Sequence, residues 1–228
     1  MSTNEKRSTL KGIMYIIMSA FFFALMGLFV QLAGDLPAIQ KSFFRNAFSA
    51  VIAFVILVRE GGDFKWHKGA LPSLVLRSVF GTIGILGNFY AIDHLILSDA
   101  LMLNKCSPFF AIIFSALFLK EKVNISHILF VLIAFIGSLF IIKPTPQLFN
   151  PASIMGLVGG VCAGAAYTMV RKASQIGERK TYIVFFFSAF STVILLPVVI
   201  LSYEPMTLMQ LLYLVMAGGT AAPGQFTI

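Results

Sequence analysis

Apolar runs about 20 residues long recur along the chain, separated by short polar breaks. A helix of roughly 20 residues crosses the ~30 Å hydrocarbon core of a bilayer. The pattern predicts spans over 12–32, 38–58, 70–91, 98–119, 125–143, 153–171, 181–202 and 207–227. The breaks hold only about 4–12 residues, so consecutive helices are predicted to be antiparallel neighbours. No break accommodates a separate soluble domain. In hydrocarbon each segment must satisfy its own backbone N–H and C=O groups, which makes these runs helices. The predicted fold class is an all-α, polytopic membrane helix bundle.

Composition strengthens this picture. Of 228 residues, 58% are hydrophobic and 11% charged, whereas a soluble domain carries roughly 25% charged residues. The net charge of +8 taken alone would suit a nucleic-acid binder, but its placement argues otherwise. Lys6, Arg7 and Lys11, then Arg59, Lys65 and Lys68, then Lys120 and Lys122, then Arg171, Lys172, Arg179 and Lys180 fall in alternate breaks. The intervening breaks hold or border Asp35, Asp93, Asp99, Lys143 and Glu204. The charge is thus a topology signal that places the N-terminus in the cytoplasm, with a bacterial inner membrane as the expected location. Nucleic acid is not an expected partner. The opening "MSTNEKRSTLKG" has no small-residue cleavage site and leads into a full-length apolar run, so it is read as the start of a first span, not a signal peptide. Cys106 and Cys162 lie in apolar runs and are read as small buried hydrophobes instead of a disulfide.

An internal repeat is visible at low identity. "AFFFALMGLFVQLAG" (20–34) aligns with "GVCAGAAYTMVRKAS" (160–174) at an offset of 140. "AFSAVI" (47–52) aligns with "FFSAFSTVI" (186–194) with a small shift. "GTIGILGNF" (81–89) aligns with "GGTAAPGQF" (218–226) at an offset of 137, which sets Gly81, Gly87, Asn88 and Phe89 against Gly218, Gly224, Gln225 and Phe226. Three alignments in the same order imply a five-span unit closing near Lys143. An odd number of spans makes the second copy enter from the opposite side, giving inverted repeats. The expected domains are 1–145, a first repeat with helices one to five, and 146–228, an incomplete second repeat with helices six to eight.

"FFRNAFSA" (43–50) and "GILGNFYAIDHLILSDALMLNKCSPFFAIIFSALFLKEKV" (84–123) give the chain a specific likeness. With these segments it resembles the EamA-type transporters of the drug/metabolite transporter superfamily, Pro108 and Glu121 occupying the Ser-Pro and Leu-x-Glu marks of the fourth helix. The resemblance implies ten helices in two five-helix repeats and alternating-access export or uptake of small metabolites. Substrates across that family include amino acids, S-adenosylmethionine, nucleosides, sugars and drugs. By the 137 offset Ile228 corresponds to Ala91, so two helices of the second repeat are missing and the chain is expected to be a truncated form.

Candidate chemistry is confined to a few intramembrane polar residues. Pro108 removes a backbone donor and is expected to bend the fourth span, as a cavity-lining break or as a packing kink. Pro223 has the same two readings in the eighth span. Gly81, Gly84 and Gly87 share a helix face that suits close packing or a sliding, cavity-facing surface. Lys41, Arg45, Arg77 and Lys105 are the cations inside spans. Arg45, Asn88, Asn104 and Lys105 are expected at similar depth, as a cationic cluster suited to a carboxylate or phosphate. The competing reading is snorkelling toward Asp93 or Asp99, and Arg77 is expected to be a snorkelling anchor. Tyr167 and Gln225 complete the candidate substrate contacts. No Asp or Glu stands mid-span, and His67, His94 and His127 fall on alternating sides, so neither a buried-carboxylate proton relay nor a metal site is visible. No cofactor and no enzymatic centre are expected. The expected partners are a small-molecule substrate and lipid, with a homodimer as one arrangement. The alternative to a transporter is a non-transporting membrane fragment or assembly subunit.

Overall fold

The structure, a computed structural model, describes residues 3–61, 65–121, 125–142 and 150–227. Lys122, Lys143 and Ile228 lie outside the described residues, as do the side chains of Lys6, Arg7 and His127. Among the described residues the helices are α1 (Thr3–Leu32), α2 (Ala38–Arg59), α3 (Leu71–His94), α4 (Leu97–Asn104), α5 (Ser107–Leu119), α6 (Ile125–Ile142), α7 (Pro151–Gln175), α8 (Lys180–Leu201) and α9 (Leu208–Phe226). The all-α membrane bundle expected from the sequence is what is observed. Six stretches are long and apolar enough to cross a membrane: Leu10–Leu32, Ala38–Arg59, Leu71–His94, Leu97–Leu119, Pro151–Gln175 and Lys180–Leu201. Large apolar side chains such as Ile16, Phe140, Ile200 and Leu201 face outward, as expected where the surroundings are lipid.

The fourth span is one crossing made of two helices. Pro108 stands in the first turn of α5, where its missing N–H is tolerated. Upstream the backbone tightens, with Cys106 N bonding Leu103 O at 3.1 Å and Lys105 N bonding Met102 O at 2.9 Å. The expected bend is therefore a break at 105–106. Pro197 and Pro223, by contrast, sit inside α8 and α9, which each run on as one helix.

Packing is organised in helix pairs: α3 against α7, α2 against α8 and α1 against α9, with α5 also on α7 and α9 also on α2. Small residues set the closest approaches. A Cβ on Gly87 would stand 2.5 Å from Met155 O and 3.1 Å from Gly159 N, and one on Gly84 would stand 3.3 Å from Ala163 N. The Gly81–Gly84–Gly87 face is thus a close-packing face, as small residues permit in membranes. On the other side of α7, Gly160 and Gly164 receive the broken segment, 2.8 Å from Leu103 O and 2.7 Å from Ser107 O measured in the same way. One apolar cluster joins Met26, Val30, Phe89, Ile92 and Ala221; a second, at the other end, joins Leu57, Leu74, Ala173 and Ile183.

Candidate functional site

The two ends of the bundle are tied by different polar groups. At the basic end, Glu178 accepts a hydrogen bond from His67 N at 2.9 Å, Thr181 donates to Glu60 at 3.0 Å, and Arg171 pairs with Glu121 at 3.0 Å. At the opposite end the Gln40 amide donates to Glu204 O at 2.9 Å and accepts from Glu204 N at 2.9 Å. There Lys41, fully buried, pairs with Asp93. The path of Lys41 to Asp93 follows the snorkelling expectation.

Between these ends lies a polar layer. Thr82 on α3 and Ser191 on α8 share a hydrogen bond of 2.6 Å, and Ser78, Ser188 and Asn88 are buried beside them in the same helices. Arg45 on α2 and Arg77 on α3 are buried as well, at 2% and 7% exposure. Both converge on the ring of Phe187 on α8, with the guanidinium carbons 6.0 Å and 4.0 Å from its centroid. Such placement over an aromatic face is a cation–π arrangement. Arg45 also donates to Asn46 at 2.6 Å, and Arg77 to the Gln225 amide oxygen at 3.3 Å. The Nε groups of both arginines and the amide oxygen of Asn88 have no hydrogen-bond partner among the described residues. A cleft lined by Arg77, Tyr167, Val170, Ile183, Val184 and Gln225 leads out to Lys180, which is exposed at the basic end.

This geometry corrects two expectations. Arg77 is not an interface anchor. Its side chain runs over Gly81, whose absent Cβ leaves the space that Arg77 Nη1 and the Phe187 ring occupy, and Phe187 and Gln225 receive it inside the bundle. Lys105 does not join Arg45 in a cluster. It caps α4 at the break and is exposed, and Pro108 is exposed too. The turn at 105–106 rotates that side chain outward, which an unbroken helix drawn from the sequence would not do. Asn104 is half-buried and Asn88 buried, but neither has a recorded bond to Arg45. Tyr167 and Gln225 line one cleft with Arg77, and Arg45 meets Arg77 across the Phe187 ring. Phe187 carried no signal in a chain with 24 Phe.

Comparison with known proteins identifies the family. The profile of the EamA-like transporter family matches residues 10–143. The chain belongs to this family. Among EamA-like relatives, the pseudopaline exporter CntI of Pseudomonas aeruginosa is 34% identical over 189 residues, which is 82% of this chain and 65% of the exporter. Solute carrier family 35 member G1 of Homo sapiens is 33% identical over 139 residues, 61% of this chain and 38% of that protein. A riboflavin transporter of Vibrio cholerae is 28% identical over 192 residues, 79% of this chain and 62% of that transporter. The chain therefore spans less than two thirds of the length of these relatives. A protein of known crystal structure superposes with a TM-score of 0.72 at 16% identity, over 97% of this chain and 77% of its own. It shares the fold.

Proposed function

We propose that this EamA-like chain serves small-metabolite transport by alternating access between two inverted repeats, 1–145 and 146–228. The N-terminus is cytoplasmic, and the membrane is the inner membrane if the source is bacterial. The observation that carries this reading is a duplicated set of contacts. The offsets of 137 and 140 turn the Gly87–Gly159 contact into Gly224–Ser19, and Ser19 Oγ does bond Gly224 O at 2.8 Å. Gly81 and its counterpart Gly218 at the offset of 137 also make a similar approach, since a Cβ on either would stand 2.6 Å from a phenylalanine, Phe187 and Phe48 respectively. The pairs α3–α7 and α1–α9 are then equivalents, with α2–α8 on the axis between them. Two halves packed this way have two mirror-related arrangements of one interface, which is the physical basis of rocking.

The same mapping extends to α1. Gly156, Gly160 and Gly164 of α7 carry α4 and α5, and their counterparts Ile16, Ala20 and Ala24 are exposed. On this reading a transport-competent protein lays a broken helix equivalent to α4–α5 on that face. The exposed face also suits the second reading, an assembly subunit whose partner covers it, a second copy included.

The test is solute flux. Vesicles from cells making the chain, challenged with a metabolite mixture, should redistribute at least one solute, and Arg77→Gln should abolish that flux. Vesicles indistinguishable from chain-free controls for every solute would sink the transport reading and favour the subunit.

A further inference from the structure

Two guanidinium groups are buried against one phenyl ring, and among the described residues the hydrogen-bond and ring contacts of both are to neutral groups. The Lys41–Asp93 and Arg171–Glu121 ion pairs and the His67–Glu178 contact all lie at the ends of the bundle. No Asp or Glu stands in the middle turns of any helix. The groups that do contact Arg45 and Arg77 are neutral: the Asn46 and Gln225 amide oxygens and the Phe187 face. A guanidinium has five N–H donors, and each arginine has one recorded hydrogen bond, with its Nε unpartnered. Burying an uncompensated charge is strongly unfavourable, and burying two like charges together more so. Such an arrangement is held only if something else repeatedly provides the counter-charge.

Access and shape define that counter-charge. The cleft is lined by exposed Lys180, by the apolar Val170, Ile183 and Val184, and by Arg77, Tyr167 and Gln225. Arg45 reaches the same Phe187 ring without lining the cleft. We propose that the Arg45–Phe187–Arg77 assembly binds a small organic dianion, a dicarboxylate or a phosphate monoester, one acidic oxygen pair on Arg77 and the second charge facing Arg45, with its carbon portion against the valine–isoleucine wall of the cleft. This inference rests on the transport reading for its use but not for its chemistry. The fork of a guanidinium matches a carboxylate or phosphate in two parallel hydrogen bonds, which a lysine does not provide.

The experiment measures ligand-dependent thermal unfolding of the purified chain in detergent, in a buffer free of carboxylate and phosphate. The probes are succinate, glycerol phosphate, succinamate as the monoanion, succinamide as the neutral form and putrescine as the dication. Ligand that binds only the folded state raises the unfolding temperature in proportion to its occupancy. The expected order is dianion above monoanion above neutral, with no effect of putrescine, and the stronger of succinate and glycerol phosphate identifies the acidic group. Arg77→Gln should weaken the dianion roughly tenfold or more, and Arg45→Gln should bring it down to the monoanion's affinity. The exposed cation variant Lys105→Met should keep wild-type binding. In the absence of ligand, both glutamine variants should unfold at or above the wild-type temperature. Equal stabilisation by succinamide or putrescine, no stabilisation by any dianion, or full dianion binding in both glutamine variants would overturn the proposal. The wild-type probe series decides the matter even if a variant fails to fold. Flux of a neutral or cationic solute without dianion binding overturns this inference and leaves the transport reading standing. Dianion binding without flux does the reverse.

Discussion

Gly81 matters for what it lacks. Arg77 lies across it, and the Phe187 ring sits 2.6 Å from where its Cβ would be. Gly81→Ala must therefore displace the guanidinium and the ring together, and a crowded core of this kind costs about 1–3 kcal/mol. Gly219, also helical, has nothing within 4 Å of such a Cβ. Gly219→Ala should stabilise by about 0.5–1 kcal/mol by removing backbone freedom from the unfolded chain. Thermal unfolding in detergent checks both signs, and equal effects would refute the packing account. The Lys41–Asp93 pair gives a second residue-scale prediction. Lys41 is fully buried while Asp93 is 18% exposed. Asp93→Asn leaves the ammonium stranded, at a cost of about 3 kcal/mol, whereas Lys41→Met leaves a carboxylate that reaches water and costs clearly less. Unfolding temperatures in the reverse order would show that the lysine, not the acid, has the easier route to solvent.

At the scale of elements, α7 is a two-sided glycine ruler. Gly159 takes α3, with Gly84 O 3.1 Å from the site of its Cβ, while Gly160 and Gly164 take the α4–α5 break. At Gly164 a Cβ would stand 2.6 Å from Phe110 Cβ, 2.7 Å from Ser107 O and 2.8 Å from Ala111 N, none of which can swing away. Gly156 meets Leu103 Cδ1 at 2.8 Å, the far end of a flexible side chain. Gly164→Val should thus destabilise by about 3 kcal/mol, at or above the upper end for overpacking, and Gly156→Ala by about 1 kcal/mol or less. Loss of folded protein on mild heating in detergent reads the difference. Element positions were legible in the sequence, because the length of an apolar run is set by the bilayer and not by neighbours. The close-packing reading of Gly84 and Gly87 was legible for a similar reason: close approach admits few residue types. Helix azimuth was not legible. Arg77 lies six residues into α3, where a lone helix would send it to the nearer interface. Only the trough at Gly81 and the ring on α8 turn it inward. Lys105 failed for the complementary reason, since a break of two residues re-aims a side chain that periodicity places by extrapolation.

For the whole molecule, the question is which end opens. The Gln40 amide locks the α8–α9 connection to α2 through both Glu204 backbone groups, and Gln210 adds a bond to Ala33 O at 3.1 Å. The cleft that Arg77 lines also takes in Lys180, which is exposed at the other end. On the proposed transport reading, the acidic end is the closed one and the basic end, set in the cytoplasm by the proposed topology, is the one toward which the cleft lies. Val184 lines the cleft and is 5% exposed, so a thiol placed there reports on the passage. The native Cys106 and Cys162, both free, are first replaced by alanine. In that background Val184→Cys should react with a membrane-impermeant maleimide applied to inside-out vesicles, and slowly or not at all in right-side-out ones. Adding Gln40→Ala removes two hydrogen bonds between the proposed halves at the closed end. Each is worth about 1 kcal/mol net, enough together to shift a two-state equilibrium by roughly thirtyfold. Reactivity in right-side-out vesicles should then rise and that in inside-out vesicles fall, because one interface serves both arrangements. A rise on both sides would mean that the bundle loosens without rocking, and no change on either side would mean that the Gln40 bonds do not hold the closed end.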